Sequence, residues 1–187
     1  VKEREASIYD ELRERDARKL NVILHRVGEC EDSKATGKER QDWDKKSCDN
    51  IFKDLGLEIT EEDVKVCCRV GERQEEPRPL VVGFYTERER SLLLRNVRRL
   101  ADSDRFQDVS VGPDLTRRQR DDEADLKTEA TRRNEDLTDE DMQKNLHWVV
   151  IGARGEKRLL KTVRRPDTNS GQERGRGVIY ERRTPQR

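Results

Sequence analysis

Three groups of basic side chains stand close enough together in the sequence to converge on one anion. Arg95, Arg98 and Arg99 are three and four residues apart, so they share one face if this segment is helical. The other two groups are Arg117, Arg118 and Arg120, and Arg154, Lys157 and Arg158. Clustered cations attract phosphate chains, largely because binding releases the counterions that a polyanion carries. Each group is equally compatible with an ordinary solvated helix face or turn.

The distribution of charge favours the C-terminal end as the place where a polyanion would bind. The chain has 41 Lys and Arg against 41 Asp and Glu, and hydrophobic residues make up only 30% of it, which predicts one small domain with helical or extended flanks. Residues 1–63 carry 13 basic against 18 acidic residues, whereas residues 146–187 carry 11 against 4, a net charge of +7. A neutral chain can therefore still present a basic surface.

No pattern in the sequence predicts an enzyme, a metal or a cofactor. The cysteines are Cys30, Cys48, Cys67 and Cys68. They contain no CxxC pair, and His25 and His147 are far from a zinc-finger spacing. Gly-rich phosphate loops and nucleophile motifs do not occur, so we expect no small-molecule substrate. No apolar run approaches the roughly 20 residues of a membrane span, and no signal peptide is apparent, so we expect an intracellular protein without a membrane partner.

The hydrophobic pattern predicts an α+β domain at residues 21–112. Predicted strands cover residues 21–25, 64–70, 80–85 and 106–111. One predicted helix follows Gly37, carries Trp43, Ile51, Phe52 and Leu55 on or near one face, and ends at Gly56. A second helix begins at the N-cap Thr86 and runs to Leu100. The resulting order, βαββαβ, is typical of ferredoxin-like domains, including the RNA-recognition (RRM-like) domains.

Three flanking segments complete the predicted organisation. Residues 1–20 are expected to be a helix in which Val1, Ile8 and Leu12 have heptad-like spacing, either the end of a coiled coil or an exposed helix. For residues 113–163 we predict a small C-terminal RNA-binding domain. It is expected to contain a helix that begins at the capping box Thr116/Gln119, a short helix that begins at Thr138, and a β-hairpin around residues 153–156. Residues 164–187 are expected to be a disordered basic tail.

Aromatic residues that could stack on nucleobases are scarce. Only Phe84 and Tyr85, on the third predicted strand, are candidates, and strand alternation directs one of the two into the core. Both rings are also compatible with core packing. We therefore expect arginine contacts to the phosphate backbone to provide most of the binding.

Four short segments, in their order and spacing, resemble one known family. They are Arg69, Val70 and Gly71; Pro77, Arg78 and Pro79 before residues 80–84; Glu89 and Arg90 before residues 92–100; and Pro113, Asp114, Leu115 and Thr116. Together they are similar to the RNA-binding protein encoded by the first open reading frame of LINE-type non-LTR retrotransposons, over residues 7–162. By position, the resemblance implies RNA contacts at Arg69, Arg73, Arg78, Arg117, Arg118 and Arg120.

The resemblance also implies a function and an assembly. Proteins of this family trimerise through a coiled coil, bind single-stranded RNA, coat their own transcript as a ribonucleoprotein and act as nucleic-acid chaperones. The expected partners are therefore single-stranded RNA, single-stranded DNA and two further copies of the chain, in cytoplasmic particles and also in the nucleus. The alternative is a coiled-coil scaffold that contacts other proteins and binds no nucleic acid.

Overall fold

The computed structural model describes residues 2–164, with side chains from residue 7 onwards, and within this range the protein is a mixed α+β structure. Its helices are α1 (Lys2–Arg18), α2 (Gly37–Asp54), α3 (Glu87–Asn96), α4 (Arg117–Glu135) and α5 (Asp139–Gln143). Its strands are β1 (Asn21–His25), β2 (Val64–Arg69), β3 (Leu80–Phe84), β4 (Ser110–Pro113), β5 (Leu146–Ile151) and β6 (Arg158–Val163). A 3₁₀ turn, Glu61–Asp63, precedes β2.

Strands β1 to β4 form one antiparallel sheet in the order β2-β3-β1-β4. β1 lies inside the sheet, because Ile23 pairs with Val81 of β3 on one side and with Gly112 of β4 on the other. β2 forms the far edge, where Cys68 pairs with Val81. β5 and β6 pair separately as an antiparallel hairpin. The predicted α+β class and the predicted hairpin are therefore confirmed.

The hydrophobic core lies between one face of the sheet and helices α2 and α3. Val22 and Leu24 of β1 are fully buried there, with Leu93 of α3. The ring of Phe52 on α2 lies 6.1 Å, centroid to centroid, from that of Phe84 on β3. Truncating such a buried ring leaves a cavity and costs about 3–5 kcal/mol. The two helices cover one face only, so the opposite face is left to the flanking elements.

Helices α3, α4 and α5 begin at the capping residues that the sequence predicts. The Thr116 hydroxyl accepts the Gln119 N–H, and the Gln119 side chain accepts the Thr116 N–H, which confirms the capping box. Thr138 forms the same kind of capping box with Asp141 at the start of α5, and the Thr86 hydroxyl accepts the Arg88 N–H at the start of α3. Gly56 follows α2 with φ at +67°, a left-handed conformation that glycine adopts without steric cost.

The fourth strand does not have its predicted bounds. β4 comprises Ser110–Pro113, whereas the sequence pattern predicted residues 106–111, with Gly112 and Pro113 as its end. β4 is an edge strand, and one side of an edge strand needs no hydrogen-bond partner, so a proline is tolerated within it.

Two helix predictions also need correction. α3 ends at Asn96 and continues as a 3₁₀ turn, Val97–Asp102, instead of reaching Leu100 as α-helix. Trp43 was expected on the buried face of α2, but its side chain is half exposed. The buried side chains of α2 are those of Cys48, Ile51 and Phe52, with Asp44.

The C-terminal helices pack on the β5–β6 hairpin. The Asn134 side chain on α4 accepts the Trp148 N–H at 2.7 Å and donates to the Trp148 carbonyl at 2.8 Å. The Arg133 guanidinium lies 4.5 Å from the centroid of the Trp148 ring. The tail predicted to be disordered lies, from residue 165 on, outside the described residues.

Helix α1 packs against the start of α4 through polar contacts. The Glu11 carboxylate accepts hydrogen bonds from the Thr116 hydroxyl at 2.7 Å and from Arg15 at 2.5 Å. Ile8 and Leu12, four residues apart, are 50% and 54% exposed. The helix therefore presents a short apolar stripe to solvent; Val1, the third predicted heptad residue, lies outside the described part. No helix within residues 2–164 has the length and apolar character to cross a membrane.

Candidate nucleic-acid interface

The face of the sheet opposite α2 and α3, here called the outer face, carries mostly uncharged side chains. Strand alternation directs Ile23 and Val81 to this face, because their neighbours along each strand lie in the core. Gly112 pairs with Ile23, and Cys68 pairs with Val81. His25, at the end of β1, is exposed. The outer face is thus an apolar strip with little charge of its own.

One aromatic ring points away from the core at the end of β3. Phe84 is 1% exposed and packs in the core, whereas Tyr85, directly after the strand, is 61% exposed. The prediction that only one of these two rings is available is confirmed. A single ring at the end of one strand provides one stacking surface at most.

Arg154 brings positive charge to the outer face from the C-terminal hairpin. A Cβ atom placed on Gly112 would lie only 2.8 Å from Nη1 of Arg154, so the guanidinium rests directly on the backbone of β4. The Arg154 side chain remains 55% exposed. Burial lowers the pKa of His25, and the positive charges of Arg154 and Arg26 lower it further. The guanidinium is therefore held close to the end of β1 while still open to solvent.

Glu123 of α4 fixes the hairpin turn that carries Arg154. Its carboxylate, with a side chain only 9% exposed, accepts the Gly155 N–H at 2.6 Å and lies 3.1 Å from Nζ of Lys157. Burial opposes ionisation of Glu123, but the hydrogen bond from Gly155 and the Lys157 charge outweigh it and lower its pKa. The structure thus places Lys157, a predicted contact residue, in an ion pair that positions the turn.

The arginines at the start of α4 lie beside this turn. Arg117, Arg118 and Arg120 are all exposed on the first helical turn, and Gln119 between them donates to the Gly155 carbonyl at 3.5 Å. The first turn contains no acidic residue. Cations there oppose the helix dipole at a cost of about 0.3–1 kcal/mol each, while a helix N-terminus attracts anions. An anion bound at this position would therefore relieve an unfavourable local charge.

The three arginines around β2 and β3 bind the protein itself. The Arg69 side chain is 4% exposed and donates to Asp44 on α2 at 2.7 Å and to the carbonyls of residues 27 and 28. Arg78 forms a two-pronged ion pair with Glu29, and Arg73 donates to the Cys30 carbonyl at 3.3 Å. All three thus tie the β2–β3 loop to residues 27–30. The expected RNA contact at Arg69 does not fit its burial, because no donor remains open to solvent.

The arginines of the α3 region lie on the helical side of the domain. Arg95 donates to the Ser91 carbonyl within α3, and Arg99 donates to the carbonyl of Leu55 at the end of α2 at 3.0 Å. Arg98 is exposed on the same 3₁₀ turn as Arg99. The sheet therefore separates these side chains from Arg154. The remaining predicted residue, Arg158, is exposed at the start of β6, opposite Ile151.

Sequence reasoning did not select the basic residues around the end of β1. Arg26 follows β1 in a left-handed backbone conformation with φ at +62°, which is uncommon outside glycine. Lys46 on α2 and Arg105 before β4 are also exposed. These three residues are dispersed over 80 positions of the sequence, so no local spacing could have revealed them.

No group of His, Cys, Asp and Glu within the described residues could hold a metal ion, and the cysteines there are free. No family model and no curated protein matches the chain.

Proposed function

We propose that this protein binds single-stranded RNA, and single-stranded DNA in the same way, on the outer face of its sheet. The observation that carries this proposal is the Arg154 guanidinium, held against the backbone of Gly112 beside the exposed arginines of α4. A phosphate chain crossing β4 would meet Arg154 and then Arg118. The apolar strip around Ile23 would lie beneath the bases.

The topology of the domain supports this proposal. The element order β1-α2-β2-β3-α3-β4 and the strand order β2-β3-β1-β4 support a split βαβ, RRM-like arrangement for the α+β domain. Domains of this kind bind single strands on the sheet face that their helices leave open. Arg154 lies on this face, with the start of α4 beside its turn, while the arginines of α3 lie on the helical side.

We further propose that the chain derives from a LINE-type retrotransposon and packages the element's transcript as a ribonucleoprotein with chaperone activity. The sequence resemblance described above supports this origin. The exposed Ile8 and Leu12 of α1 support a homotrimer formed through a longer coiled coil. Particles of this kind would be cytoplasmic and also nuclear.

The test compares two double variants that remove the same charge. Fluorescence anisotropy with a labelled oligouridylate measures affinity as a function of salt for Arg118→Ala/Arg154→Ala and for Arg88→Ala/Arg95→Ala. Four phosphate contacts on a single strand predict a slope of about −2.8 in log K against log salt, and loss of two contacts reduces it by about 1.4. We expect this reduction only in the first variant, because Arg88 and Arg95 lie on α3. Equal effects of both variants would refute the proposed site.

The apolar stripe of α1 also fits a second function, that of a scaffold which binds other proteins and no nucleic acid. Ile8, Tyr9 and Leu12 are all at least half exposed. Sedimentation velocity with and without oligouridylate separates the two functions. Self-association without any shift of the RNA boundary, at low salt, would favour the scaffold.

A further inference from the structure

A basic cleft opens at the end of β1, between α2 and the segment that precedes β4. Its volume is about 340 Å³, within the range of roughly 300–1,000 Å³ that small-ligand sites occupy. The lining residues on which the inference depends are Arg26, Trp43, Lys46, Asn50, Arg105 and Phe106.

The cleft combines an open aromatic surface with groups that can recognise a base. The Trp43 indole is 49% exposed, although it belongs to a helix whose other large apolar side chains are buried. Phe106 lies across the cleft and carries the Arg105 guanidinium at 5.1 Å from its ring centroid. The side-chain amide of Asn50 can both donate to and accept from a base edge. Stacking on the indole with a hydrogen bond from the amide is the usual recognition of an unpaired base.

The charge of the cleft selects an anionic ligand. Arg26, Lys46 and Arg105 contribute three cations, and none of the described residues that line the cleft is Asp or Glu. A larger cleft, of about 610 Å³, lies on the other side of α2 but balances three lysines with three carboxylates. Of these two clefts, the one at Trp43 joins an exposed indole to three cations with no carboxylate among its lining residues, and Lys46 lines both clefts.

The mouth of the cleft also lies close to the proposed interface, at the end of β1. Arg26 directly follows His25, and both Arg26 and Arg154 act on the His25 imidazole. Arg154, against Gly112 of β4, and Arg26, at the mouth of the cleft, therefore both lie close to His25 at the end of β1. Arg26 has a left-handed backbone conformation, which is uncommon for a residue with a Cβ atom.

We propose that the cleft binds one nucleotide of the same strand that crosses the outer face, with its base stacked on Trp43 and its phosphate held by Arg26, Lys46 and Arg105. This inference rests on the proposed function and adds a second base-stacking site to the single exposed ring, Tyr85, at the end of β3. The strand would leave the sheet at His25 and turn into the cleft. A minimum length of RNA is needed to reach both sites, so oligomers too short to span them bind only one.

The test uses Trp43 as its own reporter in the full chain. The Trp148→Phe variant leaves Trp43 as the one tryptophan. A 15-nucleotide oligouridylate should quench its fluorescence over the same concentration range in which anisotropy reports binding. Free uridine monophosphate should quench it only at far higher concentration; equal potency of the two ligands would overturn the claim that the cleft takes part of a strand.

Substitutions at Trp43 separate stacking from packing. Trp43→Leu should weaken oligouridylate binding by about 5- to 150-fold, the usual effect of losing one stacked base, and Trp43→Phe should restore most of it. Thermal denaturation checks that both variants fold. Saturable binding with unchanged Trp43 fluorescence, or equal affinities of the leucine and phenylalanine variants, would overturn the cleft and leave the outer-face interface intact. No binding by wild-type protein in either readout would overturn both.

Discussion

Arg69→Ala is the substitution that most sharply separates the structural role of an arginine from a role in RNA binding. The resemblance to retrotransposon proteins assigns Arg69 to RNA, whereas the structure buries its guanidinium against Asp44. We expect the variant to lose stability and to keep its affinity for RNA while it remains folded.

The magnitude follows from the groups that the substitution leaves behind. Asp44 has a side chain only 10% exposed and receives two bonds from Arg69, at 2.7 and 3.0 Å. Arg69 also donates to the carbonyls of Val27, Gly28 and Arg78, so four acceptors lose their donor at once. Removing one partner of a buried ion pair costs about 3–5 kcal/mol, because the other charge stays buried without compensation. That cost is a large fraction of the roughly 5–15 kcal/mol that stabilises a typical domain.

Urea unfolding followed by circular dichroism measures the loss, and oligouridylate anisotropy at low temperature measures the affinity. Asp44→Asn is the milder companion variant, because the amide keeps an acceptor for Arg69 but loses the charge. It should lose less stability than Arg69→Ala and should bind RNA like the wild-type protein. An Arg69→Ala protein with wild-type stability and reduced RNA affinity would refute the structural role.

Two further predictions concern groups that the fold buries or pairs. A hydrogen bond from Arg78 lowers the pKa of Glu29 to about 2, although burial of the carboxyl acts in the opposite direction. The Glu29–Arg78 pair therefore stabilises the fold fully at pH values above the ordinary carboxyl pKa of 4.5. This contribution is lost as the pH falls from 4.5 towards 2. Arg78→Ala should flatten the pH dependence of unfolding free energy in that window; an unchanged acid transition would show that the pair adds nothing. Cys48 and Cys67 are buried, and their sulfur atoms lie 3.9 Å apart. A maleimide should therefore label the exposed Cys68 in the native protein and should react with Cys48 and Cys67 only after unfolding. Peptide mass mapping of the labelled protein checks this prediction.

Local signals in the sequence predicted most elements, whereas features that depend on distant partners escaped prediction. Thr86 and Thr116 cap helices by accepting N–H groups two and three residues further along the chain, so their role can be predicted from a short stretch of sequence. The fate of Arg69 depends on Asp44, which lies 25 positions earlier on another element. No regular sequence spacing relates two residues on different elements. An arginine in a strand is therefore predicted to be exposed unless its buried partner is known.

The wrong prediction for Trp43 has a different cause, because the geometry of α2 alone places this residue away from the buried face. Each residue of an α-helix turns by about 100°, which places Trp43 roughly 80° from Ile51, 120° from Leu55 and 180° from Phe52. The residues that α2 buries therefore cluster on a face to which Trp43 does not belong. Its apolar character suggests the core, but its position on the helix indicates the surface, and this conflict is why we propose Trp43 as a stacking residue.

The neutral net charge of the chain does not argue against binding a polyanion, because the acidic residues nearest to the interface already have partners. Asp114 is held by Arg18 at 2.9 Å, and Glu123 by Lys157 at 3.1 Å. In these pairs the negative charge of each carboxylate is balanced by its own basic partner. Among the described residues, Arg118 and Arg154 have no carboxylate at a comparable distance. Arg154 lies 3.9 Å from Glu123, whose carboxylate already binds the Gly155 N–H and Lys157. Arg117 differs, because Asp121 lies 3.8 Å away on the next turn. Counterion release depends on local and not on overall charge, so of the two neighbours Arg118 should contribute more to RNA affinity than Arg117.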